Sequence, residues 1–152
     1  MRRGRRIVVT ITAVSALAVL ALAGLALASS NTLNAVKNTK LNEKIAVDAS
    51  GRTVYALKGE TTSKLLCTSS SCLKIWPMAT VKKGIKLTKS GGIKGKLTTI
   101  KRNGVYQLVL GGDPLYYFSQ DKNKGDANGN GIKSFGGTWH VIKANGVIYG
   151  GY

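Results

Sequence analysis

Histidine is nearly missing from this chain: one, His140, stands among 152 residues. Nucleophilic catalysis needs a base within hydrogen-bond reach, oriented by a third group. A single histidine lets no Ser-His-Asp grouping be picked out, so His140 is read as a structural strand residue. Only six residues are acidic. A hydrolase built on a carboxylate pair such as Asp113 and Asp121 stays open as an alternative, but nothing in the spacing recommends it. The chain is therefore expected to be non-catalytic and without a cofactor. Two cysteines and one histidine are too few ligands for a structural zinc site. No arginine-rich or known nucleic-acid reader motif is present, so nucleic acid is not an expected partner. Helical periodicity is scarce after the first 28 residues, and no second long apolar run follows there.

The first 28 residues read as a leader. Arg2, Arg3, Arg5 and Arg6 form a cationic start, residues 7–27 are apolar and uncharged, and Ala26-Leu27-Ala28 fits the small-x-small cleavage rule. The apolar run is also long enough to span a bilayer. Two readings follow: a removed signal peptide, or an uncleaved anchor helix with the arginines inside. Both place the rest of the chain outside the cytoplasm. Residues 29–152 keep 19 of the 23 basic residues against 6 acidic ones, a surplus of 13, and 17 of the 19 are lysines. Such a surplus attracts polyanions. An anionic cell-wall polymer or a membrane surface is the expected partner, and the lysine-rich window 81–96 is the candidate contact. In an exported chain Cys67 and Cys72 read as a disulfide. A redox- or metal-handling accessory role is the second alternative.

The rest is organised around residues 111–139, which hold two tyrosines of a hairpin strand, three of the six acids and Trp139. An earlier stretch echoes it. Gly51, Val54, Tyr55 and Leu57 fall in register with Gly112, Leu115, Tyr116 and Phe118. Tyrosine is followed by tryptophan after 21 residues in the first copy (Tyr55, Trp76) and after 23 in the second (Tyr116, Trp139). Two landmarks at near-equal offsets point to a duplication of about 60 residues. Alternate strand residues share a face, so Tyr116 and Phe118 point together, toward the core or toward a ligand stacked on them.

Tyr116-x-Phe118-x-x-Asp121 resembles the Y-x-(F/W/Y)-x-x-D signature of a bacterial secreted-repeat family, often labelled predicted lipoproteins. Residues 51–55, Cys67 and Cys72 ahead of Trp76-Pro77, Pro114-Leu115-Tyr116, Gly125-Asp126, Asn128-Gly129 and Trp139 agree with that pattern over residues 46–146. The first copy departs from it, with Leu57 and Glu60 where the second has Phe118 and Asp121. No lipobox cysteine follows the leader. The resemblance implies an envelope β-domain and no particular activity.

Asn103-Gly104 and Asn145-Gly146 each sit between apolar runs, the strongest short hairpin signal. The expected fold is all-β: an antiparallel sheet, sandwich or barrel-like domain of two degenerate repeats behind a leader helix. Its parts are a leader (1–28), a polar tether (29–42) and one domain (43–152). Within that domain repeat one runs over about 45–80, a basic connector over 81–96 and repeat two over about 97–150. A strand is expected over 73–77, ended by Pro77. In the glycine-rich loop 121–131, Asp121, Asn123, Asp126 and Asn128 offer oxygens at alternating positions. Calcium takes six to eight such oxygens. The EF-hand order is broken, however, because Gly125 and Asp126 are reversed and Ile132 stands where a glutamate is needed. Asx-type loop bracing by Asp121 and Asp126 is the alternative. Tyr116, Phe118, Asp121, Asp126 and Asn128 are the candidate binding residues.

Overall fold

The computed structural model describes residues 32–144. The leader, the start of the tether and the last predicted hairpin, which closes on residues 147–149, lie outside the described residues. Among the described residues, short β-rich runs separated by glycine turns become nine strands and one helix, in the order β1 (Leu33–Asn38), β2 (Glu43–Asp48), β3 (Tyr55–Leu57), α1 (Ser70–Ile75), β4 (Thr80–Val81), β5 (Leu97–Arg102), β6 (Val105–Leu110), β7 (Asp113–Pro114), β8 (Lys133–Ser134) and β9 (Gly137–Val141). All strand pairs are antiparallel: β1 with β2, β3 with β9, β9 with β8, and β6 with β4, β5 and β7. Among the described residues the sheets stay open and no closed barrel forms.

Three local expectations change. Residues 33–38, expected within the tether, form β1. Its Leu33 and Asn38 are buried, and its backbone pairs with β2 from Leu33↔Asp48 to Asn38↔Glu43. The stretch before Pro77 is helical up to Ile75. The Ser69 hydroxyl caps α1 by accepting from the Cys72 amide at 3.2 Å, and the Cys67–Cys72 disulfide holds the two Cα atoms 5.5 Å apart. A serine cap satisfies a helix-start amide, and the alternation 73–77 is too short to outweigh it. Proline disfavours the helical region for the residue before it, and Trp76 leaves the helix there at φ −121°, ψ 74°. The basic connector is also tied into the fold. Leu33 exchanges backbone hydrogen bonds with Thr88 and Ser90, and Ile93 is buried. The expected β5–β6 hairpin forms around Asn103-Gly104, with Asn103 at φ 49°.

The two halves reproduce each other's pairing across the molecule. The strand carrying each tyrosine meets the other: Tyr55 N donates to Tyr116 O and Tyr116 N to Tyr55 O, both at 2.9 Å. The residue before each tyrosine accepts from the residue three past the other half's tryptophan, Val54 O from Ile142 N and Leu115 O from Ala79 N. Ala46 N donates to Ile142 O as Leu108 N donates to Ala79 O. The bridge Ile45↔Lys143 matches the pair Gln107↔Thr80, and Met78↔Tyr116 matches Val141↔Tyr55. So each half's post-tryptophan segment pairs with the other half's strands. Two cores result, one around Leu108, Leu110, Leu115 and Val54, the other around the buried aromatic rings.

Candidate functional site

The aromatic cluster forms because both tryptophans are carried to the contact between the halves. Trp76 and Trp139 stack with centroids 3.9 Å apart and planes 5° apart. Each tyrosine sets its edge against the tryptophan of its own half, Tyr55–Trp76 at 5.4 Å and 73°, Tyr116–Trp139 at 5.2 Å and 88°. Phe118 stacks on the outer side of Trp76 at 4.5 Å. Such offset and edge contacts each add about 0.5–1.5 kcal/mol beyond area burial. Tyr116 is fully buried and Phe118 is buried, so these two candidate binding residues face the core rather than a stacked ligand.

The signature acids cross between the halves. Tyr55 donates its hydroxyl hydrogen to Asp121 Oδ2 at 2.6 Å, and Tyr116 donates to Glu60 Oε1 at 3.0 Å. Each phenol also accepts a hydrogen bond, Tyr55 from the Gly129 amide and Tyr116 from Arg102. Each acid then braces its own loop: Asp121 Oδ1 accepts from Asn128 N, and Glu60 Oε1 accepts from Leu66 N and Cys67 N. Glu60 thus performs in the first half what Asp121 performs in the second, despite the departure from the signature. Burial, then the neighbouring carboxylate, pushes both phenols up, Tyr116 to about 12. Each therefore stays a neutral donor over the ordinary pH range.

In the glycine-rich loop one oxygen of each carboxylate is taken by the loop's own amides. Asp126 Oδ2 accepts from the amides of Lys122 and Asn123 and from the Asn123 side chain. The two amides hold its carboxyl below the usual range. Asn128 enters through its backbone. Gly129 packs against Trp76; a Cβ there would lie 2.7 Å from the ring and 3.0 Å from Phe118. Asp121, Asn123, Asp126 and Asn128 therefore brace one loop. Among the described residues no group of three or more acidic, histidine or cysteine side chains is placed to hold a metal ion.

This second half, from hairpin to post-tryptophan segment, is a recognised unit. Residues 98–143 match the model of a family described as a secreted repeat of unknown function. The resemblance read from Tyr116-x-Phe118-x-x-Asp121 is shown over that span. That family is described as secreted, which supports a location outside the cytoplasm. No curated protein and no solved structure matches the chain.

Sequence reasoning missed three participants. Arg102 is buried and donates to Tyr116 Oη, to Gln107 Oε1 and to the Cys67 carbonyl. Gln107 also donates to Leu115 O at 2.9 Å. Asp113, in sequence a turn residue and a conceivable catalytic partner of Asp121, is instead a core carboxylate. It is 1% exposed, neither carboxylate oxygen has a hydrogen-bond partner, and burial followed by Glu60 raises its carboxyl to about 6. The one available signal was composition: Arg102 is one of two arginines after the leader.

Proposed function

We propose that this chain is a non-catalytic, extracytoplasmic β-domain that holds phosphate-bearing anionic surfaces of the cell envelope. The observation that carries this reading is the sorting of its charges. The acids are committed to structure. Glu60 and Asp113 are buried, Asp121 and Asp126 brace their loop, Asp48 accepts from Ser50 N, Arg52 and Tyr117, and Glu43 pairs with Lys143. Both described arginines are engaged as well, Arg102 inside and Arg52 3.8 Å over the Tyr117 ring. Every described lysine except Lys143 is exposed. A surface whose exposed cations are lysines apart from Arg52, with most of its carboxylates tied up in hydrogen bonds, attracts polyanions at long range and recognises them loosely. The leader delivers this surface across the membrane, and is removed after Ala28 or kept as an anchor.

Salt decides the matter, because screening shortens to about 8 Å at physiological ionic strength and about 3 Å at 1 M. Retention on phosphatidylglycerol vesicles and on soluble polyphosphate is expected at low salt and is expected to be lost near 1 M. Retention that ignores salt, or none at low salt on either probe, rejects the proposal.

A further inference from the structure

We propose that the cleft between the β1–β2 turn and the glycine-rich loop is where one phosphate group of such a polyanion seats; this rests on the surface reading above. The cleft holds about 330 Å³ and is lined by Lys37, Asn38, Lys40, Gly51, Lys124 and Asp126 among others. Its walls are fixed. Gly125 N donates to Gly51 O at 2.9 Å, and Asn38 Nδ2 donates to Gly125 O at 2.8 Å. The Lys124 stem lies over Gly51, where a Cβ would sit 2.9 Å from Cγ. Glycine at φ +89° is what lets the lysine lie there. Lys37 Nζ is held by Asn42 O and Oδ1 at 2.8 and 2.6 Å, and an ammonium has a third N–H to give.

Charge favours an oxyanion. Three lysines and one carboxylate line the cleft, and that carboxylate is met by the amides of Lys122 and Asn123 and by the charge of Lys40. The matching half shows why the cleft is open here. Counted from the paired hairpins, Asn38 ends β1 as Arg102 ends β5. Arg102 reaches in to the Cys67 carbonyl and fills its half with its own cation. The shorter Asn38 fastens the loop and supplies no charge, so the cations here are the lysines that line the cleft.

Tripolyphosphate titrated into the protein at low salt, followed by backbone amide shifts, tests this. Shifts are expected to concentrate at Gly51, Gly125 and Asp126. Lys40→Ala with Lys124→Ala should weaken binding about thirtyfold, from roughly 1 kcal/mol per lysine near a phosphate surface and tenfold per 1.4 kcal/mol. Lys82→Ala with Lys83→Ala removes the same charge from the connector and should weaken it about twofold or less. All four side chains are exposed, and matching melts would show that both variants fold. Equal weakening by the two pairs overturns the cleft and leaves the surface reading standing. No binding by the unmodified protein to tripolyphosphate or to phosphatidylglycerol vesicles overturns both. With the cleft upheld, competition between vesicles and tripolyphosphate assigns the phosphate to lipid, and its absence assigns it to a soluble polymer.

Discussion

The two halves share a plan but finish it differently at the same place. In each, a tyrosine edges onto a tryptophan and hands its hydroxyl hydrogen to an acid of the other half. In the first loop that acid is Glu60, 0% exposed and backed by Arg102 and Gln107 around the phenol. In the second it is Asp121, half-buried, held by the Tyr55 hydroxyl and the Asn128 amide. A buried carboxylate demands a compensating cation and donors, whereas one near the surface is satisfied by amides and water. We read the matched pairing as a duplication in which one copy closed its acid into the core and the other left it near solvent.

The largest difference should appear on removing the side chain that ends each first hairpin strand. Arg102→Ala takes away the buried cation and the donor to Tyr116, Gln107 and the Cys67 carbonyl. Breaking a buried charged network by removing one partner costs about 3–5 kcal/mol. Asn38→Ala removes one neutral hydrogen bond to Gly125 O and one to Leu41 N, worth about 1 kcal/mol each. Urea unfolding of both variants checks this. Equal losses would mean that the halves are not closed to different degrees.

The closed half should also carry the pH dependence. Asp113 lies next to Glu60 in charge terms and is raised to about 6, well above the ordinary carboxylate value. A raised folded value means that its stabilising contribution is fully present below the unfolded value, near 4, and is lost as pH rises through about 6. Two units correspond to about 3 kcal/mol. His140 titrates nearby with the opposite sign, because burial, with Lys58 and Lys143, lowers it. The measurement is therefore a difference: chemical unfolding of the native chain and Asp113→Asn from pH 4 to pH 7. The variant should gain relative to the native chain as pH rises, and a flat difference would show that Asp113 ionises freely in the fold.

Local features of the sequence were readable and crossing ones were not. Asn103-Gly104 announced its hairpin because the turn chemistry sits between its own strands. The Tyr-to-Trp intervals announced two matching units because spacing survives when intervening residues diverge. The acids were seen as loop residues, yet their tyrosine partners lie 56 and 66 positions away, and no local pattern carries that. Leu33–Asn38 looked like a tether because its buried positions make sense only against β2 and the connector. Helix α1 escaped because its cap and its disulfide act together over six residues, too few to display a helical period. Arg102 was hidden by its ordinary setting, a basic residue just before Asn-Gly.

The finest difference between the halves is at the indole nitrogens. Trp139 Nε1 donates to Ser134 Oγ at 3.0 Å, whereas Trp76 Nε1 is buried without a partner. Phenylalanine at either position loses ring area and part of the stack. At position 139 it also leaves the Ser134 hydroxyl without its indole donor, whereas at position 76 it removes an unsatisfied donor that the fold already tolerates at a cost of about 1–3 kcal/mol. Trp139→Phe should therefore destabilise more than Trp76→Phe, by about 1 kcal/mol, in paired thermal melts. The reverse order would mean that Phe118, which stacks on Trp76 and not on Trp139, makes the first half's ring the more tightly packed of the two, and that packing rather than polar satisfaction separates the halves at their contact.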